Sequence, residues 1–215
     1  MTIRLPHWTP GQRIGLMGGS FNPPHDGHLL VSRLALRRLG LDRLWWLVTP
    51  GNPLKETAGL PSLAARMAAA RATAKDPRIA VTGFEAEIGA RFTHDSIAWL
   101  VRRAPSVRFV WIMGADNLRQ FHLWRRWLDI ARLVPIVVVD RPGSTLRALN
   151  SHAGAALARF QAMERDAGSF AGRRPPAIIF LHGPRSDASS TALRRAEPIP
   201  ADASRISLAR AKPAS

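Results

Sequence analysis

Short apolar runs rich in β-branched and aromatic residues recur along the chain, at Arg13–Met17, Leu44–Thr49, Arg78–Thr82, Val107–Met113, Val134–Val139 and Ala177–Leu181. Between them lie stretches with helical periodicity. These are His28–Leu39, in which Val31, Leu34 and Ala35 share a stripe, then Leu63–Ala74, Thr93–Arg103 and Ala115–Arg132. No two runs are joined by a two-residue hairpin signal, and Ile136–Val139 and Ile178–Leu181 are apolar without interruption, as strands covered on both faces are. The alternation therefore predicts an α/β fold, a doubly wound parallel sheet with helices on both faces, in a single domain. Such sheets bind ligands beyond the carboxyl ends of their strands, so the residues after each run are the ones to read for chemistry. The segment from Arg141 to Pro176, rich in Ala, Arg, Gly and Pro, is expected to hold a helix over Ser144–Met163. Residues 1–197 are read as the domain, and 198–215, with Pro198, Pro200 and Pro213, as a loosely ordered tail.

A length of 215 residues suits one domain with a real core. Cysteine is absent, which excludes disulfides, thiolate metal sites and a cysteine nucleophile. No apolar run approaches the roughly 18 residues of a membrane span. The opening segment, MTIRLPHWTPGQR, lacks the apolar core of a secretory signal. A cytoplasmic location is the expectation. The formal charge of +16, from 31 basic and 15 acidic residues, invites an anionic partner. Only Lys55, Lys75 and Lys212 are lysines, and the arginines are scattered. No nucleic-acid signature accompanies them, and Trp45 and Trp46 fall inside an expected strand. The charge thus fits a generally basic surface or the steering of phosphorylated small substrates better than nucleic acid.

After the first run comes Gly18-Gly19-Ser20-Phe21-Asn22-Pro23-Pro24-His25-Asp26-Gly27-His28, leading into a helix expected to open near His28. Paired glycines let backbone N–H groups approach a phosphate, and a helix N-terminus adds partial positive charge. The segment is neither G-x-G-x-x-G nor a Walker loop, so hydride transfer and P-loop hydrolysis find no support. His25 and His28, three residues apart, can both donate to phosphate oxygens. Helix capping, a metal pair and ordinary turn chemistry are the alternatives, although zinc would want a third ligand.

This segment resembles the signature of the nucleotidylyltransferase superfamily, a Rossmann-like group whose core reads G-G-[ST]-F-[DN]-P-x-H-x-G-H. A second element, Ser189-Ser190-Thr191-Ala192-Leu193-Arg194, follows the last run and resembles the superfamily's I-S-S-T-x-I-R. Alone it would read as an N-cap cluster. Ala188 stands where the superfamily usually has a larger aliphatic residue, which bears on adenine packing.

The other strand ends are similar to one branch, the bacterial nicotinate-nucleotide adenylyltransferases. Thr49-Pro50-Gly51-Asn52-Pro53-Leu54-Lys55 resembles the branch's loop ending in a basic residue near the phosphates; without that match Lys55 would be a solvated lysine. Glu85 to Thr93 resembles the segment that recognises the nicotinate carboxylate, with Phe92 where the branch commonly has tyrosine. Thr93 also reads as a helix N-cap. Met113-Gly114-Ala115-Asp116-Asn117-Leu118 resembles G-x-D-[NS]-L, and Phe121-His122-Leu123-Trp124 follows it. By residue type alone Trp124 belongs to a core stripe with Phe121, Trp127 and Leu128. Asp140-Arg141-Pro142-Gly143 fits the branch's R-P-G.

The resemblance implies transfer of AMP from ATP to nicotinate mononucleotide, giving deamido-NAD and pyrophosphate, in NAD biosynthesis. It assigns catalysis to His25, His28, Lys55 and Arg194. ATP would be held by Gly18, Gly19, Ser20, Phe21, His25, His28, Gly114, Asp116, Ser190, Thr191 and Arg194. The mononucleotide would meet Ser20, Lys55, Phe92, Thr93, Trp124 and Arg141. Magnesium would arrive on ATP phosphates and water, with no dedicated protein ligands. The partners implied are these two substrates, without nucleic acid or membrane, and a homo-oligomer is compatible with the sequence. Pantetheine-phosphate and nicotinamide-mononucleotide enzymes share both phosphate motifs, and G-A-D-N-L with N-P-L-K favours the nicotinate branch.

Overall fold

The computed structural model describes residues 3–51, 60–140 and 145–183. Its elements are β1 (Arg13–Gly19), α1 (Asp26–Arg38), β2 (Arg43–Val48), α2 (Leu63–Thr73), β3 (Ile79–Thr82), α3 (Phe84–Glu87), α4 (Thr93–Arg103) and β4 (Arg108–Gly114). They continue with α5 (Ala115–Gln120), α6 (Trp127–Leu133), β5 (Ile136–Val139), α7 (Thr145–Leu149), α8 (His152–Leu157), β6 (Gln161–Ala162), α9 (Ala167–Phe170) and β7 (Ile178–Leu181). The strands form one seven-stranded sheet in the order β3-β2-β1-β4-β5-β7-β6, and every pairing is parallel.

Strand alternation divides the apolar residues into two cores. Ile14, Leu16, Trp45, Leu47, Phe109, Trp111, Met113, Ile136, Val138, Ile178 and Phe180 face one side, where Ile97 and Leu100 of α4, Leu118 of α5 and Ile130 of α6 cover them. Met17, Leu44, Trp46, Val48, Val110, Ile112, Val137, Val139, Ile179 and Leu181 face the other, under Val31, Leu34 and Ala35 of α1 and Phe170 of α9. Burial on both faces explains why the strands read as unbroken apolar runs. Trp45 and Trp46 are fully buried on opposite faces, so neither ring is available to stack on a nucleic-acid base.

Three expectations need correction. The helix expected over Ala115–Arg132 is broken: α5 gives way to a 3₁₀ turn at Phe121–Leu123, Trp124 is extended, and Arg126 is left-handed at φ 55 before α6 begins. The apolar spacing continues across the break because both pieces bury residues in the same core. The helix expected over Ser144–Met163 is instead α7, α8, a 3₁₀ turn and the two-residue strand β6. Ser151 turns that corner, its hydroxyl donating to the Ala148 carbonyl at 2.6 Å and accepting from the Gly154 N–H at 3.2 Å. Gly154 packs so tightly on the Ala148 and Leu149 carbonyls that no Cβ fits there. A strand of two residues has no periodicity to read, which is why six strands were expected and seven exist. Finally, Gly18 and Gly19 belong to β1 rather than to the turn after it, pairing with Leu47 and Val48 of β2. Among the described residues no helix is long and apolar enough to cross a membrane.

Candidate active site

The sheet opens between β1 and β4. Their ladder ends at Leu16 opposite Trp111, yet β1 stays paired with β2 as far as Gly19 opposite Val48. On the other side β4 stays paired with β5 as far as Gly114 opposite Val139. The two carboxyl ends thus part company where the strand order reverses, the position at which open α/β sheets take ligands.

On the β1 wall the glycines answer to aromatic rings. A Cβ on Gly18 would meet the Trp111 ring at 2.7 Å, and one on Gly19 would meet Phe21 at 3.3 Å. Phe21 is itself left-handed at φ 47 and 1% exposed, stacked on Trp46 at 4.9 Å with the planes 20° apart. A bulky residue in that backbone region costs energy, which the buried stack offsets. The turn after β1 is thereby fixed over the core.

His25 is the N-cap of α1, in extended conformation, and His28 lies one turn on, so the helix opens at Asp26, earlier than expected. Their ring centroids are 3.9 Å apart. The His25 backbone N–H donates to Nδ1 of His28 at 3.2 Å. An accepting Nδ1 puts the proton of neutral His28 on Nε2, which makes Nε2 the donor. Capping and phosphate donation, posed as alternatives for this pair, are therefore compatible, since the capping bond uses Nδ1 and leaves Nε2 as a donor. Beneath it the Ser32 hydroxyl donates to the His28 carbonyl at 2.8 Å and accepts from Trp46 Nε1 at 2.8 Å. Among the described residues no three His, Asp or Glu side chains converge on a metal site.

On the opposite wall Gly114 is the buried N-cap of α5, and Asp116 stands exposed in its first turn. Trp124 is half-buried, its ring edge-on to Trp111 at 6.1 Å and to Phe121 at 5.3 Å. Both readings of Trp124 thus meet in one residue, anchored in the core at one edge and partly open. Phe92, rather than Thr93, is the N-cap of α4, and the Arg125 guanidinium lies 4.7 Å over its ring. Trp111 touches the Gly18 position and Trp124, so it connects the phosphate-side glycines to the aromatic side. The expected residues at positions 18, 19, 20, 21, 25 and 28 are brought together at the end of β1. Gly114 and Asp116 stand where the neighbouring strand β4 runs into α5, Trp124 packs on Trp111 of that strand, and Phe92 and Thr93 open α4 with Arg125 over the Phe92 ring. Lys55, Arg141, Ser190, Thr191 and Arg194 lie outside the described residues, as do Ala188 and the tail from 198 to 215.

Two buried residues of opposite charge type, Arg66 and Glu85, are not among the expected site residues. Arg66 of α2 is 2% exposed and binds backbone carbonyls of three segments around the site. Its signal was an arginine on the apolar stripe of Leu63, Met67 and Ala70. Glu85 of α3 is also buried. The Ser96 hydroxyl of α4 donates to its Oε1 at 2.7 Å, and the Thr49 side chain after β2 also favours its charged form. Burial pushes the Glu85 carboxyl above the usual carboxylate range, and the two hydroxyls offset only part of that.

Comparison with known proteins names the family. Residues 16–196 match the cytidylyltransferase-like family. A probable nicotinate-nucleotide adenylyltransferase from Methylorubrum extorquens (strain PA1) is 62% identical over 182 residues, covering 85% of this chain and 98% of that protein. The chain belongs to the nicotinate-nucleotide adenylyltransferase branch of the cytidylyltransferase-like family. A Bradyrhizobium relative (strain ORS 278) of the same name is 58% identical over 85% of this chain and 95% of its own. In three dimensions the fold is shared with the Plasmodium falciparum nicotinic acid mononucleotide adenylyltransferase complexed with APC. That likeness has a TM-score of 0.63 at 14% identity and covers 86% of this chain and 83% of the other.

Proposed function

We propose that this enzyme transfers AMP from ATP to nicotinate mononucleotide, releasing pyrophosphate and deamido-NAD, a step of NAD biosynthesis. The observation that carries the reading is the opening between β1 and β4, with a capped histidine pair on one wall and a partly open aromatic cluster on the other. An adenylyl acceptor bearing a phosphate and a flat, charged ring needs both.

The chemistry follows from the groups present. A 5′-phosphate oxygen of the mononucleotide attacks the α-phosphorus of ATP in line; one P–O bond forms as the bond to the β-phosphate oxygen breaks, and pyrophosphate leaves. Phosphomonoesters lose their second proton near pH 6, so the nucleophile is already anionic at neutral pH and no general base is required. Catalysis is then positioning and charge neutralisation. His28 donates from Nε2 to the phosphate oxygens, and His25 at the helix N-cap stands beside it. Gly18, Gly19, Ser20 and Phe21 line the approach to the same anions at the end of β1. Asp116 accepts from the adenosine ribose, with Gly114 allowing close approach. Thr93 and the α4 N-terminus receive the nicotinate carboxylate, and Phe92 and Trp124 take the ring. Lys55, Arg141, Ser190, Thr191 and Arg194 are assigned by resemblance to the remaining phosphate oxygens and the nucleotide end. Magnesium is read as entering with ATP, as part of that substrate, and the cytoplasm as the place of the reaction.

The test is magnesium-dependent pyrophosphate release from ATP, run in parallel with nicotinate mononucleotide, nicotinamide mononucleotide and phosphopantetheine. Release with the nicotinate substrate is expected. Preference for another acceptor would move the enzyme to a sister branch, and silence with all three would overturn the reading.

A further inference from the structure

The loops after β1 and β2 end on a common buried group. Nε of Arg66 donates to the Pro61 carbonyl at 2.9 Å. One Nη1 serves both the Ser20 carbonyl at 2.9 Å and the Thr49 carbonyl at 2.8 Å. Nη2 reaches the Pro50 carbonyl at 3.3 Å. Four of the guanidinium's five N–H groups are thereby matched to backbone oxygens. Among the described residues no carboxylate shares this guanidinium, and burial lowers its proton affinity. A buried charge of this kind is retained only where its hydrogen bonds are needed.

What these bonds hold is specific. The Ser20 carbonyl begins the turn that carries Phe21 and His25, while Thr49 and Pro50 begin the loop whose later residues include Lys55. The two turns are otherwise joined by the last β1–β2 ladder bond, from the Thr49 N–H to the Gly19 carbonyl at 3.0 Å. Helix α2 packs on the same sheet face, with Ala70 in the core and Ser62 capping its first turn through the Ala65 N–H at 3.2 Å. The planar fork therefore sets the distance between two turns from a fixed helix. A lysine, with three donors on one atom and no plane, cannot span the same oxygens.

We propose that Arg66 is a positioning residue for adenylyl transfer, clamping the turn after β1 to the start of the loop after β2 so that the groups of the β1 turn are held toward the reacting α-phosphate. This rests on the activity proposed above. Wild-type pyrophosphate release reports on that activity, and the ratio of variant to wild type reports on the clamp. Amide hydrogen exchange of the Ser20–Phe21 and Thr49–Gly51 segments reads the clamp without turnover.

Arg66→Lys and Arg66→Ala are compared with wild type well below their thermal midpoints, so that every molecule counted is folded. In both, kcat is expected to fall at least about tenfold while KM for each substrate stays within about threefold, the pattern of an interaction used in the transition state. Exchange should quicken in both turns. Millimolar guanidinium should restore kcat to Arg66→Ala by refilling the fork's place, and methylammonium should not. A lowered thermal midpoint with unchanged kcat in Arg66→Lys would make the role purely structural and overturn the proposal. Equal rescue by methylammonium would also overturn it, because charge rather than the planar fork would then be what matters. If Arg66→Ala does not fold, Arg66→Lys alone decides through kcat and exchange.

Discussion

The two walls of the opening are built by different physics. On the β1 side the turns are tied by directional bonds, from Arg66 to three loop carbonyls and from the His25 N–H to His28. On the β4 side order comes from rings packed edge-on, with Trp124 resting against Trp111 and Phe121. On the function proposed above, the difference follows what each wall would bind. Phosphate oxygens are recognised by donors whose placement matters to fractions of an ångström, so the turns that carry them are hydrogen-bonded from below. A pyridine ring asks only for a flat apolar surface of the right depth, and aromatic packing gives that without burying a polar group.

That contrast can be broken or sharpened in order of effect. His28→Ala removes the Nε2 donor and should lower kcat by about 10²–10³-fold, as loss of a transition-state donor does, with the fold retained by circular dichroism. Turnover near wild type would remove His28 from the mechanism. Gly18→Ala drives a methyl group into the Trp111 ring, and the overpacking should cost about 1–3 kcal/mol in denaturant unfolding. Because Trp111 also supports Trp124, the same variant should disturb binding on both walls. Trp124→Ala should raise KM for the mononucleotide by up to about tenfold, the worth of one aromatic stacking partner, and leave KM for ATP nearly unchanged. An equal rise in both would place Trp124 in support of the whole opening.

The smallest effect concerns Glu85. Its folded-state pKa lies above the ordinary carboxyl value of 4.5, so the folded chain holds the proton more tightly than the unfolded one. Its contribution to stability is therefore greatest below the ordinary value and declines as pH rises toward the raised one. Glu85→Gln, neutral at every pH, should melt a few degrees above wild type at pH 8 and lose that advantage near pH 4. A gain that does not depend on pH would show that ionisation of Glu85 is not what the folded state resists.

The end of β1 and the turn after it were legible because Gly18, Gly19, His25 and His28 sit close together in sequence, where spacing alone conveys geometry. Arg66 was not legible. Its partners at Ser20 and Thr49 lie 46 and 17 residues away, and an arginine on a helix looks the same whether it meets water or four carbonyls. Trp124 shows the same limit from the other side, since its spacing places it on a helical stripe while the chain is extended there, between the 3₁₀ turn at Phe121–Leu123 and the left-handed Arg126 that starts α6, and the ring is left half open.

The positions of six of the seven strands and the all-parallel sheet were set by local pattern, because burial on both faces writes itself into consecutive residues. The glycines at positions 18 and 19 were visible too, but their reason was not: Gly18 leaves room for Trp111, which reaches it only once β1 and β4 lie side by side, and Gly19 for Phe21, whose left-handed backbone starts the turn. How far each strand stays paired, where β1 and β4 separate, and which buried charge holds the turns apart were decided by tertiary structure. Those depend on hydrogen bonds and contacts between residues distant along the chain, for which local spacing carries no signal.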